Sequence, residues 1–311
     1  MSWSPRTTPS QAGKTFVVTG ANAGLGYFTS EQLAAAGAHV VLACRNPARA
    51  DAALAAIRTR VPGATISTVD LDVADLHSVA AAADTFRQFP RIDGLILNAG
   101  IVHPPRDREV SPDGNELVLA TNYLGHFALT AQVLPVLLRT PGSRVVSIGS
   151  MITRLMDSAL ADLQLETSYD LWKAYAQSKI AMQVFGFELD RRLRGAGVGG
   201  AGGVQALVAH PGYSISGLTP TIPGVNEPNR DKRVIDGLQR LLGAQGKHHG
   251  AWPIVRAAAD PKATGGQYYG PRWFIRGHPS RQAPTRTSRD VAIAERLWSR
   301  SEALLGAPFP V

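Results

Sequence analysis

Residues 15–26 read TFVVTGANAGLG, and this stretch decides the fold. Its first five residues are rich in β-branched and aromatic side chains and predict a buried strand. Gly20, Gly24 and Gly26 follow directly. Glycines here let the backbone turn tightly and approach a bound anion, whose charge then lies at the N-terminus of the next helix. A strand, a glycine-rich turn and a helix in this order favour dinucleotide binding.

A second glycine-rich run, GAGVGGAGG at residues 195–203, contains a literal GxGxxG pattern. It follows a predicted helix and precedes a predicted strand, which is the wrong order for a phosphate-binding turn. We interpret this run as a surface loop.

Short apolar runs alternate with longer amphipathic segments from residue 14 to residue 210. The runs are nearly continuous in apolar residues, as expected of parallel strands that are covered on both faces. The predicted strands are 15–20, 39–44, 64–69, 92–100, 143–150, 204–210 and, further on, 265–270. The pattern predicts an α/β fold, a doubly wound parallel sheet of the Rossmann type with about seven strands and helices on both faces.

The chain is expected to form a single domain over residues 1–311. Residues 14–210 would form the cofactor-binding and catalytic core, and residues 211–311 a substrate lid and C-terminal cover. Residues 218–250 are rich in proline, glycine and charge, with one amphipathic helix at 234–242, and a last helix is predicted at 290–306.

Composition excludes several classes of function. The chain has 311 residues, 44% apolar and 18% charged, and its net charge of +8 is spread thinly without interleaved aromatics, so nucleic-acid binding is not expected. No run approaches the roughly 20 uninterrupted apolar residues of a membrane span. The first fourteen residues lack the apolar segment of a signal peptide, so a cytoplasmic protein is expected.

Neither a disulfide nor a metal site is predicted. The single cysteine, Cys44, lies in the apolar run HVVLACR and is interpreted as a buried structural thiol. His248 and His249 form a lone pair in a polar stretch, and no metal-ligand spacing of Cys and His occurs.

The end of the second strand bears on the choice of cofactor. The sequence VVLACRN places Arg45 where NAD-binding folds carry a carboxylate for the ribose hydroxyls. A guanidinium suits a 2′-phosphate instead, so NADP(H) is preferred, with NAD(H) possible. The alternative interpretation is a surface arginine at a strand end.

Five motifs occur in order: TGANAGLG, LNAG, TNYLGHF, IGS and YAQSK. Together they resemble the short-chain dehydrogenase/reductase family over nearly all of residues 14–306. VVLACRNPARA, NYLGHFALT and the tail AERLWSRSEALLG are similar to its retinol-dehydrogenase-like branch. The retinoid-active relatives are membrane-anchored, so retinoid chemistry is not carried over.

The resemblance implies four catalytic residues. Tyr175 would be the general acid/base, and Lys179, one helical turn later, would lower the phenol pKa by about two to three units from its ordinary value near 10. Ser150 would stabilise the charge on the substrate oxygen, with Ser147 the competing candidate. Asn122 would hold a water molecule that relays protons to Lys179, or satisfy backbone groups at a helix kink, and both roles can coexist.

The family likeness also implies cofactor contacts beyond the glycine turn and Arg45. Ser216 stands where the family commonly has a threonine. The further residues expected at the cofactor are Asn22, Leu25, Asn46, Asp72, Val73, Asn98, Ala99, Gly100, Lys179, Pro211, Gly212 and Ser216.

The expected function is NADP(H)-dependent oxidoreduction of a lipophilic aldehyde, ketone or alcohol. Segments 151–170, 213–245 and 271–277 would frame the substrate. The side chains expected there are Met151, Leu155, Met156, Tyr213, Leu218, Trp273 and Phe274. A homo-oligomer, dimer or tetramer, formed through the two long helices after strands four and five is expected, and a monomer is the alternative. A catalytically silent NADP(H)-binding sensor is the rival function; an epimerase or lyase is disfavoured by the glycine spacing.

Overall fold

The computed structural model describes residues 3–156, 158 and 160–311. The strands are β1 (Thr15–Thr19), β2 (His39–Cys44), β3 (Ile66–Asp70), β4 (Gly94–Leu97), β5 (Arg144–Ile148), β6 (Gln205–Ala209), β7 (Ser214–Ile215), β8 (Gln245–Gly246), β9 (Tyr268–Pro271) and β10 (Pro279–Arg281). The α-helices are α1 (Gly24–Ala35), α2 (Pro47–Arg60), α3 (Leu76–Arg87), α4 (Leu117–Leu119), α5 (Gly125–Leu138), α6 (Ile152–Leu155), α7 (Leu171–Gly195), α8 (Arg230–Gln239), α9 (Lys247–Gly250), α10 (Trp252–Ala259) and α11 (Val291–Leu305).

One eight-stranded sheet organises the molecule, in the order β10-β9-β6-β5-β4-β1-β2-β3. All of its pairings are parallel except that of β10 with β9. The predicted doubly wound Rossmann-type sheet is therefore confirmed. Strand order reverses between β1 and β4, and in open α/β sheets ligands bind in the crevice at such a switch point.

The seven predicted strands are all present, and β10 is an addition at the sheet edge. It begins at Pro279, and prolines are tolerated at edge strands because they lack a backbone donor. Its three residues are too few to show an alternating pattern, so this strand could not be predicted from the sequence. The strands β7 and β8 form a separate two-stranded ladder beside the sheet.

The long helix after β4 is the one helix of the described residues that is long and apolar enough to cross a membrane. It runs over Leu117–Leu138 as α4, a π-helical turn at Ala120–Leu124, and α5. Its mean hydropathy of 1.2 and its length would suffice to cross a membrane, but 83% of that window is buried inside the protein. Packing in the core therefore accounts for its apolarity.

An aromatic cluster fastens the C-terminal helix α11 to α5 and α7. The ring of Phe127 lies 5.0 Å from Trp298 and 4.9 Å from Phe309, and Phe185 lies 5.9 Å from Trp298. Phe127, Trp298 and Phe309 are all buried. Because α11 covers part of both long helices, an oligomer interface at that part would require displacement of α11. The predicted homo-oligomer is tested by none of these contacts and stays a prediction.

Candidate active site

The turn after β1 requires glycine at three positions. Gly20 and Gly24 have φ of +64° and +57°, in the left-handed region that favours glycine. A Cβ at Gly26 would lie 2.4 Å from the carbonyl oxygen of Gly20 and 2.5 Å from Nδ2 of Asn98. The backbone therefore forms a tightly packed turn at the N-terminus of α1, here called the glycine cradle, and a helix N-terminus favours a bound anion.

Thr19 and Asn98 fasten this turn to the end of β4. The Thr19 hydroxyl accepts hydrogen bonds from the backbone N–H groups of Asn98 and Ala99, both at 2.9 Å. The Asn98 side chain donates to the carbonyl of Thr19 at 2.8 Å. Nε2 of the buried His126 lies 2.9 Å from the Thr19 hydroxyl. Asn98 and Ala99 thus shape the turn, and Thr19 and His126 are supports that the sequence interpretation missed.

The buried Cys44 thiol lies behind the same turn. Burial raises its pKa to about 11, and the nearby backbone N–H groups of Ala21 and Asn22 oppose that rise. This burial confirms the expected buried thiol. Leu25 lies against α9, in the part of the chain predicted to form the lid, and a Cβ at Gly250 would lie 2.9 Å from its side chain.

The end of β2 carries the predicted adenosine contacts. Arg45 is 76% exposed, and its guanidinium lies 3.6 Å from the Asp72 carboxylate. The Asn46 side chain accepts from the N–H of Arg49 at 3.0 Å and caps α2. Among these residues, Arg45 is the one whose charged group remains available to a ligand.

Asp72 and Val73 shape the loop after β3. The Asp72 carboxylate accepts from the N–H of Ala74 at 2.9 Å. The carbonyl oxygen of Val73 lies 1.8 Å from where a Cβ of Gly125 would stand, so the loop packs directly on the helix backbone. Only a glycine fits at position 125.

Tyr175 and Ser150 meet at the carboxyl end of the sheet. The Tyr175 hydroxyl donates to Oγ of Ser150 at 3.3 Å. Ser147 is fully buried, and its hydroxyl has no hydrogen-bond partner within the described residues. It packs under α7, where a Cβ at Gly186 would lie 3.1 Å from its Oγ. The geometry therefore selects Ser150 over Ser147 as the partner of the phenol.

Lys179 lies deep beside this pair. Its Nζ donates to the Ile148 carbonyl at 3.2 Å and lies 3.6 Å from where a Cβ of Gly100 would stand. Burial lowers the pKa of Lys179 to about 8. Burial raises the pKa of Tyr175, and the hydrogen bond to Ser150 offsets only part of that rise. The expected lowering of the phenol pKa by Lys179 is therefore wrong for this structure, because desolvation of the phenol dominates.

Asn122 lies in the π-helical turn and is completely buried. Its Oδ1 accepts from the N–H of Ile101 at 2.7 Å, and its Nδ2 donates to the Ile101 carbonyl at 3.1 Å and to Ser178 Oγ at 2.9 Å. The amide therefore satisfies backbone groups at a helix irregularity, one of the two predicted roles. Its proton-relay role stays a prediction.

The turn after β6 contains the predicted Pro211, Gly212 and Ser216. Gly212 has φ of +67°, and a Cβ there would lie 2.3 Å from the carbonyl oxygen of Ile275. The Pro211 carbonyl accepts from Ser214 and from Gln245, both at 2.9 Å. Ser216 is half-buried, and its carbonyl accepts from the N–H of Thr219 at 3.0 Å.

Lys247 is a further residue that the sequence interpretation missed. A Cβ at Gly24 would lie 3.4 Å from the Nζ of Lys247, so the ammonium lies next to the glycine turn. The only local signal was its position next to His248 and His249. Among the described residues, no group of three or more His, Cys, Asp or Glu side chains could hold a metal ion.

The predicted substrate rim is partly open. Leu155 and Trp273 are 76% and 67% exposed. Phe274 is held with φ of +67° between the ring of His210, 4.9 Å away, and the guanidinium of Arg154, 4.6 Å away. Residues 157 and 159 of the predicted segment 151–170 lie outside the described residues.

Three features together define a class of protein: a 3-2-1-4-5-6 sheet, a glycine cradle at its switch point, and a Tyr–Ser pair with a buried lysine beside it. The class is that of dinucleotide-dependent oxidoreductases. A sequence profile described as short chain dehydrogenase matches residues 14–220. The chain belongs to the short-chain dehydrogenase/reductase family.

Curated relatives resemble the chain over almost its full length. The short-chain dehydrogenase/reductase drtF of Aspergillus calidoustus is 34% identical, covering 96% of this chain and 95% of the relative. Polyprenol dehydrogenase of Mus musculus is 33% identical, with 97% and 87% covered. Human retinol dehydrogenase 13 is 32% identical, with 97% and 88% covered. The predicted likeness to retinol dehydrogenases is confirmed.

Solved structures of other proteins have a similar fold. A protein of Mycobacterium paratuberculosis superposes with a TM-score of 0.79 at 34% identity, and both chains are covered completely. A structure titled as an NAD(P)-dependent gluconate 5-dehydrogenase of Beutenbergia cavernae, with bound NADP, has a TM-score of 0.63 at 25% identity, covering 84% of this chain and 96% of that one.

Proposed function

We propose that the protein is an NADP(H)-dependent reductase of lipophilic aldehydes and ketones, and that it oxidises the corresponding alcohols in reverse. The observation that carries this proposal is the hydrogen bond from Tyr175 to Ser150 beside the buried Lys179. Both hydroxyls lie at the carboxyl end of the sheet, next to the crevice that the glycine turn opens.

The protonation states favour the reductive direction. Burial raises the pKa of Tyr175, so the phenol keeps its proton at neutral pH and acts as a general acid. Ser150 orients that proton and donates its own hydrogen bond to a substrate carbonyl oxygen, where negative charge develops. A nicotinamide cofactor held at the glycine turn after β1 would supply the hydride for the carbonyl carbon. Lys179 stays mostly protonated below its pKa of about 8 and stabilises the phenolate left behind.

The cofactor fits the residues of the cleft. Gly20 and Gly26 let the turn pack closely on itself and on Ala99 at the end of β4. The backbone N–H groups at the start of α1 favour the charge of a pyrophosphate. Arg45 is exposed at the end of β2, where a 2′-phosphate would lie, and this supports a preference for NADP(H).

Two observations support a lipophilic substrate. Leu155 and Trp273, apolar side chains of the predicted rim, are open to solvent. Relatives are named for polyprenol and retinol, both long apolar alcohols. An apolar rim with few polar groups suits such compounds.

The test is consumption of NADPH in the presence of a panel of lipophilic aldehydes and ketones, with Tyr175→Phe alongside. We expect turnover that falls about 10²- to 10⁴-fold in the variant, as for loss of a general acid. Tyr269→Phe is the matched control, because its hydroxyl donates to the Gln267 side chain at 2.6 Å and the residue lies outside the segments expected to frame the substrate.

Full turnover by Tyr175→Phe would refute the assigned acid. Tight NADPH binding without turnover of any compound would favour the silent sensor instead.

A further inference from the structure

Lys247 is a partly buried cation without a partner. Its Nζ has no hydrogen-bond acceptor and no salt bridge within residues 3–156, 158 and 160–311. Asp236, the carboxylate that acts on it electrostatically, is already engaged by the N–H of Gly217 at 2.6 Å and by Lys232 at 3.5 Å. Burial lowers the pKa of Lys247, which shows that leaving this ammonium uncompensated is costly.

The lysine is held in place from several sides. Its backbone N–H donates to Thr219 Oγ1 at 2.8 Å, and the next residue, His248, accepts from the Gln32 side chain through its carbonyl at 2.8 Å. Gly250 packs so closely that a Cβ there would lie 2.1 Å from Ser214 Oγ. The helix α9 is thereby fixed against α1, and the ammonium reaches the glycine turn from the lid side.

The position of the Lys247 Nζ indicates which part of a ligand it would contact. A Cβ at Gly24 would lie 3.4 Å from Nζ and 3.6 Å from Cδ of the same lysine. Gly24 is the first residue of α1, where backbone N–H groups and the helix dipole already favour an anion. Arg45 lies at the end of the other strand, β2, beside Asp72. The two cations therefore face different parts of a dinucleotide.

We propose that Lys247 binds the pyrophosphate of the cofactor and so closes the phosphate cradle from the lid. This inference rests on the proposed dinucleotide-dependent function. Because the pyrophosphate is common to both nicotinamide dinucleotides, Lys247 contributes equally to binding of NADPH and NADH, whereas Arg45 discriminates between them. The lysine also ties the lid to the cofactor, since α9 and β8 are consecutive in the chain.

The experiment measures dissociation constants of NADPH and NADH by calorimetry on the full chain, without substrate. Lys247→Met keeps the length of the stem and removes the charge. We expect roughly 10- to 100-fold weaker binding of both nucleotides, as for loss of a charge-assisted hydrogen bond. Lys247→Arg restores most of the affinity, and Lys262→Met, an exposed lysine in a turn, leaves it unchanged. The dependence of affinity on salt concentration becomes shallower in Lys247→Met alone.

Several outcomes would overturn the proposal. Unchanged affinities in Lys247→Met would show that the ammonium makes no contact with the cofactor. A loss confined to NADPH would assign the lysine to the 2′-phosphate instead. In another outcome, Lys247→Arg fails to restore binding and the free variants unfold at a lower midpoint. That result would show that the Lys247 side chain supports the fold and does not bind the cofactor. If the wild-type chain bound neither nucleotide, the proposed function would fail together with this inference.

Discussion

The two sides of the cofactor cleft are built differently. On the sheet side, Thr19, Asn98 and His126 join the ends of β1 and β4 to α5 through buried hydrogen bonds. On the lid side, α8 and the turn after it present an apolar face to solvent. That face consists of Val234, Ile235, Leu238, Leu241 and Leu242, which are 57% to 87% exposed.

This difference between the two sides indicates which groups are held in place in the absence of a ligand. A phosphate must meet a rigid, pre-formed set of donors, so the sheet side is tied to the backbone. A lipophilic substrate of variable shape is better met by apolar side chains that can still repack. The C-terminal cover, although it belongs to the same third of the chain as the lid, resembles the sheet side in its burial.

The largest expected effect concerns that cover. Trp298→Ala removes a buried ring from contact with Phe127, Phe185 and Phe309, and we expect a loss of about 3–5 kcal/mol in the free energy of unfolding. Urea denaturation measures it. Trp172→Ala, at a tryptophan that is 56% exposed, is the control and should cost far less. Equal losses of unfolding free energy in the two variants would mean that the Trp298 ring of α11 contributes no more to stability than an exposed tryptophan.

The second effect concerns acid stability of the sheet side. Burial lowers the pKa of His126 to about 3, so the folded protein leaves it neutral where the unfolded chain protonates it, below about pH 6.5. Because the unfolded state then binds more protons, stability falls as pH drops from about 6.5 toward 3. The slope per such histidine is at most about 1.4 kcal/mol per pH unit. His210, whose pKa burial also lowers to about 3, adds to the same trend.

Urea unfolding at several pH values tests this in His126→Gln. The variant should lose less stability between pH 7 and pH 5 than the wild type does. His103→Gln, at an exposed histidine, is the control. If the free energy of unfolding fell equally with pH in the wild type and in His126→Gln, the buried His126 imidazole would not be neutral in the folded protein.

The smallest effect is expected on the lid. Leu238→Ser replaces a side chain that is 65% exposed, so the free energy of unfolding should change by no more than about 0.5 kcal/mol. Leu189→Ser, at a fully buried leucine of α7, provides the contrast. A large loss of stability in Leu238→Ser would show that the apolar face of α8 is packed in solution, and the comparison of the two sides would then fail.

Most of the fold and much of the candidate site could be predicted from local sequence motifs. The glycine turn could be predicted because part of its steric demand acts within a few residues, as between Gly26 and the carbonyl of Gly20. The meeting of Tyr175 with Ser150 followed from the family likeness, and the geometry supports it.

Other features depend on distances that the sequence does not encode locally. Lys247 reaches Gly24 from a part of the chain more than two hundred residues away, and nothing in KHHG indicates that direction. The upward direction of the Tyr175 pKa depends on how much of the phenol is desolvated, which only packing determines.

The aromatic cluster has a consequence for biosynthesis. Phe127 leaves the ribosome well before Trp298 and Phe309, the rings that cover it in the folded protein. Until those rings arrive, the nascent chain carries an uncovered apolar face on α5 and α7, the kind of surface that chaperones bind and that promotes aggregation. Completion of the core is therefore a late event that requires the C-terminal helix, however early the glycine turn and its sheet have formed.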